Sequence, residues 1–137
     1  MICLDTNTVI AALNSRSSPV HGRIAAAIER GVTLSISSIV LFELRYGAAK
    51  SARAERNIQR IADFLSGAIT VLPFEPADAE EVGDIRAALE RAGTPIGPYD
   101  LLIAAQARRR GALLATRNAR EFVRVPGLTT EDWAGPG

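Results

Sequence analysis

Apolar residues recur along the chain in two rhythms, an alternation that suits strands and a three-to-four spacing that suits helices. Ile2-Cys3-Leu4 is a short apolar run that stops at the charge of Asp5, the pattern of a strand covered on both faces. Thr6-Asn7 follow at once and can cap the next helix. Within residues 23–30, Ile24, Ala25 and Ile28 share a helical face, and Gly31 closes the segment. Val32, Leu34 and Ile36 then alternate with Thr33, Ser35 and Ser37, which predicts a second strand. Ser37 or Ser38 can cap a helix that runs through Glu43 to about Ala49.

The second half repeats the scheme. Ile58, Ile61, Ala62 and Leu65 predict a helix over 57–65, stopped by Gly67, and Ile69 to Leu72 predicts a third strand. Val82, Ile85 and Leu89 predict a helix over 78–92 closed by Gly93. After the turn-rich residues 94–98, Asp100 opens an apolar helix to Arg110, with Gly111 as its stop. Leu113 to Ala115 predict a fourth strand ending at Thr116, followed by a helical turn near 118–122. Val123 to Val125 read as a short fifth strand before Pro126-Gly127. Strands alternating with helices predict an α/β fold with a mainly parallel sheet. With no repeats or linkers, residues 1–137 are expected to form one domain.

Composition narrows the function classes. Apolar residues make up 47% and charged residues 23%, the balance of a folded globular chain. The longest apolar stretches fall far short of the ~20 residues that span a bilayer, so no membrane segment is expected. The N-terminus lacks the basic start of a secretion signal. Cys3 is the lone cysteine, which excludes an intramolecular disulfide and suits the reducing cytoplasm. Net charge is +1, too balanced to indicate nucleic acid by itself. All basic residues but Lys50 are arginine, a side chain suited to phosphate and also enriched by GC-rich coding.

In open α/β sheets, ligands bind beyond the carboxyl ends of the strands. Asp5, Ser37-Ser38 and Thr116 all fall there. Asp5 follows the first strand directly, where it can serve as a helix cap or as part of a polar site. Glu43 sits inside Ile39-Val40-Leu41-Phe42-Glu43-Leu44, where a carboxylate needs a cation, an exposed edge or Arg45 as partner. Asp100 precedes Leu101-Leu102-Ile103-Ala104-Ala105, as a carboxylate favoured by the helix dipole or as a ligand. Three such carboxylates brought close raise one another's pKa unless a cation sits between them. Oxygen ligands select Mg2+ or Mn2+ over zinc. His21 reads as a surface residue and Cys3 as core, so zinc sites and Ser-His-Asp or Cys-His hydrolases have little support. No glycine-rich phosphate loop is present.

Four motifs in order resemble the PIN domain. They are Asp5-Thr6-Asn7 after the first strand, Glu43-Leu44 with Gly47 in a helix, Asp100 opening a late apolar helix, and residues 116–122, Thr-Arg-Asn-Ala-Arg-Glu-Phe. Residues 121–128 followed by Glu131-Asp132-Trp133 resemble, more narrowly, VapC-type toxins of bacterial toxin–antitoxin pairs. The resemblance covers essentially the whole chain. It implies a three-layer α/β/α sandwich with strand order 3-2-1-4-5. It also implies a Mg2+- or Mn2+-dependent endoribonuclease, often acting on tRNA, restrained by a VapB-type antitoxin and commonly a homodimer.

The family's three acids fall on Asp5, Glu43 and Asp100, its early polar position on Asn7 and its hydroxyl on Thr116. Many relatives carry a fourth aspartate where this chain has Asn118, and Glu121 can serve instead. One cation is expected, with a second left open. Metal-activated water would hydrolyse the phosphodiester, and Arg45, Lys50, Arg53, Arg56 and the Arg108-Arg109-Arg110 triplet are candidate phosphate contacts. The triplet also fits a solvated helix end. Apart from Trp133, Tyr46 and Tyr99 few aromatics are available for stacking, so RNA shape is expected to guide substrate choice. The competing readings are a phosphatase with Asp5 as nucleophile, and a PIN-like binding module without catalysis.

Overall fold

The computed structural model describes residues 1–135; residues 136–137 of the expected domain lie outside the described residues. Five short strands alternate with seven helices. In chain order these are β1 (Ile2–Leu4), α1 (Thr6–Asn14), α2 (Pro19–Glu29), β2 (Leu34–Ser37), α3 (Ser38–Ala49), α4 (Ala54–Leu65) and β3 (Ile69–Leu72). There follow α5 (Pro76–Ala92), α6 (Pro98–Arg109), β4 (Leu113–Thr116), α7 (Ala119–Phe122) and β5 (Thr129–Asp132).

The strands form one sheet in the order β3-β2-β1-β4-β5, and every pair is parallel. β1 lies at the centre, with Ile2 opposite Leu34 on one side and Leu113 on the other. Being central, it is buried on both faces, which is why it reads as an unbroken apolar run. The chain first walks outward from β1 to β3, then crosses back to β4 and β5. α1 packs against α2, α3 and α4, and α5 packs against α6, so the helices fall into two groups that meet where α3 touches α6. The core runs from Leu4, Leu34, Ile36 and Leu114 in the sheet to Val9, Val40, Ile85 and Ala104 in the helices, all fully buried.

The helix starts follow local chemistry. Asp5 caps α1, Ser18 caps α2 and Ser37 caps α3, each side chain accepting a backbone N–H of the first turn. Proline stands at the start of α2, α5 and α6, where its missing N–H costs nothing. Gly93 ends α5 at φ +71°, a left-handed conformation that glycine adopts freely.

The fifth strand is not where the sequence pattern puts it. Residues 123–125 are a turn, because their N–H groups return to the carbonyls of Ala119, Glu121 and Phe122 and none is left for a ladder. Val125 is buried as part of that turn, while Val123 is 72% exposed. The edge strand is instead Thr129–Asp132, which pairs with Leu113–Thr116. Its residues are mostly exposed and polar, so it carries no apolar signature.

Candidate active site

The strand order reverses at β1 and β4, and such a reversal leaves a crevice beyond the carboxyl ends of the two strands. Asp5 leaves β1 at this point and Thr116 ends β4. Their side chains close the gap: the Thr116 hydroxyl donates to Asp5 Oδ2 at 2.5 Å. Asp5 Oδ1 accepts the Thr8 N–H at 2.9 Å, and the Asp5 N–H donates to the Ala115 carbonyl at 3.1 Å. The cap and the site are therefore the same residue. Asp5 is only 3% exposed, with each carboxylate oxygen already accepting a bond. That suits a fixed ligand; an in-line nucleophile, as the phosphatase reading requires, needs an oxygen free to advance.

Glu43 reaches the crevice from the second turn of α3, half-buried. The Thr6 hydroxyl donates to its Oε1 at 2.7 Å, so its partner is the first residue of α1 and not Arg45, which is exposed on α3. Asp100 comes from the first turn of α6, two residues inside the helix that Pro98 begins. Glu121 comes from α7. Its Oε1 accepts the Gly97 N–H at 3.0 Å and its Oε2 accepts the Asn118 amide at 2.6 Å. The Asn118 N–H in turn donates to Thr116 Oγ1 at 2.8 Å, which links both acids through one threonine.

The acids feel one another. Asp100 is pushed up to about 7, first by burial, then by the charges of Glu121, Asp5 and Glu43, and by a hydrogen bond to Glu121. A carboxyl with this profile holds a proton near neutrality when nothing positive stands between it and its neighbours. Gly97 lies against both acids: a Cβ there would sit in ordinary contact with Asp100 Oδ2 at 3.6 Å and Glu121 Oε1 at 3.8 Å.

Among the described residues no group of three His, Cys, Asp or Glu is already drawn into a metal-holding cage. The donor set nonetheless fits a hard divalent cation, since it consists of carboxylates with no thiol or imidazole. The repulsion on Asp100 is the kind of charge imbalance that a cation removes.

The remaining sequence candidates divide clearly. Asn7 is exposed in the first turn of α1, two residues beyond Asp5. Arg108 and Arg109 lie at the far end of α6 from Asp100, roughly 12–14 Å along the axis. Arg108 pairs with Glu81 at 2.8 Å, and Arg109 pairs with Asp78 and Glu75. They are not brought to the site, because they neutralise the fully buried Asp78 and its neighbours on α5. Lys50 sits over the Tyr46 ring at 4.6 Å. Trp133 is 1% exposed and unavailable for stacking. Sequence reasoning missed Thr6, whose role depends on a contact 37 residues away. It also missed the grouping of Phe42, Tyr46 and Tyr99 into one exposed aromatic cluster beside Glu43 and Asp100.

Residues 2–128 match the PIN domain family. The chain is 46% identical over 131 residues to the tRNA(fMet)-specific endonuclease VapC of Shigella flexneri, covering 96% of each chain. Its structure is similar to that of VapBC from Salmonella typhimurium bound to DNA, with TM-score 0.89, 43% identity and coverage of 96% of this chain and 97% of that one. It is also similar to VapBC2 from Rickettsia felis bound to a promoter DNA fragment, with TM-score 0.91, 37% identity and coverage of 97% and 99%. With the expected strand order, the acid-lined crevice and likeness over nearly the full length, the chain belongs to the PIN domain family, among its VapC-type members.

Proposed function

We propose that residues 1–137 form a single domain that is a metal-dependent endoribonuclease, the toxin half of a toxin–antitoxin pair, cutting phosphodiester bonds in RNA. The observation that carries this reading is the grouping of Asp5, Glu43, Asp100 and Glu121 at the switch point of the sheet, where burial and then the charges of the other three push Asp100 to about 7. Asp5, Glu43 and Asp100 would hold a Mg2+ or Mn2+ ion, with Glu121 as a fourth ligand or the anchor of a second ion. Such a cation supplies charge neutralisation at the phosphate and lowers the pKa of water.

The chain's own groups prepare the site. The Thr8 N–H and the Thr116 hydroxyl hold the two oxygens of Asp5, so its carboxylate needs no reorganisation to act as a ligand. Thr6 does the same for Glu43, and Asn118 with the Gly97 N–H for Glu121. Asp100 retains a proton near neutrality, so a cation held there would compete with that proton and bind more tightly as pH rises through 7.

The names of the relatives support tRNA, the initiator tRNA first, as substrate. The VapBC structures support a VapB-type antitoxin as partner. A homodimer is part of the same proposal. A cytoplasmic location belongs to the same proposal; no helix among the described residues is long and apolar enough to cross a membrane. The test is cleavage of purified initiator tRNA by antitoxin-free protein. Wild-type chain with millimolar Mg2+ or Mn2+ is expected to cut, whereas excess chelator or Asp5→Asn abolishes cutting. Full activity of folded Asp5→Asn at equal metal would remove the acid crevice from the mechanism.

A further inference from the structure

On the α1 side of the acid crevice lies an open basin of about 610 Å3, its lining part apolar, with Ile10 and Pro19, and part polar, with Asn7, Asn14, Ser17 and Arg117. Its size is within the range of clefts that seat small ligands. It adjoins the site at two points: Asn7 is two residues beyond Asp5, and Arg117 directly follows Thr116, the residue bonded to Asp5. Arg117 is exposed and has no carboxylate within ion-pair distance among the described residues. The side chains of Asn7 and Asn14 likewise make no protein hydrogen bond there.

The far wall is held in shape. Ser15 Oγ and Ser17 Oγ are bonded at 3.0 Å, and His21 Nε2 lies 2.8 Å from the Ala12 carbonyl and 3.0 Å from that of Ser15. A wall held in shape and facing exposed amides and a guanidinium with no protein partner leaves those groups free to meet a polar ligand.

Electrostatics says which ligand. With a cation neutralising the acid cluster, a further positive group beside it favours a phosphodiester chain entering the crevice. Arg117 is placed to be that group, with a planar fork that fits phosphate. Asn7 and Asn14 offer paired donors and acceptors for a ribose hydroxyl or a base edge, the groups by which single-stranded RNA is read. We propose that this basin seats the nucleotide next to the scissile phosphate, with Arg117 on the neighbouring phosphate and Asn7 and Asn14 on the sugar and base. The inference rests on the ribonuclease reading and adds the place and polarity of substrate binding.

The experiment compares wild-type chain with Arg117→Ala, Arg117→Lys and Asn14→Ala on a short initiator-tRNA stem-loop. It follows kcat and KM, and salt-dependent binding of the labelled RNA in an Asp5→Asn background. Arg117→Ala is expected to raise KM about tenfold with kcat nearly unchanged, and to lower the salt slope of binding by about one, the loss of one phosphate contact. Arg117→Lys restores most of the slope, and Asn14→Ala raises KM severalfold without touching the slope. Arg117 is exposed, so a matching melting temperature confirms that folding is intact. If the wild type cuts and Arg117→Ala keeps both its KM and its salt slope, or loses only kcat, the subsite is wrong while the nuclease reading stands. If the wild type neither binds nor cuts RNA with metal present, the nuclease reading fails and the subsite with it.

Discussion

Asp100→Asn removes the charge that the acid cluster disfavours most. The carboxyl is raised from 3.8 to about 7, a gap of about three units. At 1.36 kcal/mol per unit the cost of ionising it in the folded chain has a ceiling of about 4 kcal/mol. Asp100 is only partly buried, and solvent screening reduces this to about 1–2 kcal/mol. Because the folded pKa lies above the unfolded one, the carboxyl's favourable contribution is fully present below about pH 4 and is lost as pH rises through 7. The penalty is thus complete near pH 8 in metal-free protein. Asparagine has the same shape and no charge, so the variant is expected to melt about 3–8 °C above wild type at pH 8 in chelator. The two curves should converge near pH 4. Added Mn2+ should raise the wild type toward the variant, since a ligand of the folded state stabilises it by mass action. Scanning calorimetry at pH 4, 6 and 8 decides the matter. A variant equal to or less stable than wild type at pH 8, or a gap of the same size at pH 4, would refute the argument.

Two further outcomes follow from the same geometry. Thr116→Val strips Asp5 of a buried bond and leaves the Asn118 N–H without its acceptor. It should cost about 1–3 kcal/mol of stability and lower RNA cleavage about 10–100-fold, measured by chemical denaturation and single-turnover assay. Arg109→Ala leaves the fully buried Asp78 without its cation, so the melting temperature should fall by several degrees while kcat is unchanged; a selective loss of RNA affinity would instead return Arg109 to the phosphate contacts.

Much of this molecule was already legible in its amino-acid order. Ile69–Leu72 is a strand at the expected limits, α3 starts at the serines that predict it, and α6 starts two residues before Asp100, whereas α2 starts at Pro19, four residues before the apolar face that signals it. Both kinds of signal are local, since capping and apolar alternation act within one turn or a few residues. Asp5 was visible for the same reason: a charge ending a buried strand has few places to go. The polar fifth strand was not legible, because an exposed edge needs no apolar code and is defined by its pairing with β4. Nor was the fate of the arginine triplet, where Asp78, 31 residues from Arg109, decides the outcome. The site depended most on tertiary structure. A carboxylate's environment is set by whatever groups lie within a few ångströms: Thr6 meets Glu43 only once β2 pairs with β1, and Thr116 meets Asp5 only once the parallel sheet has carried β4 back alongside β1.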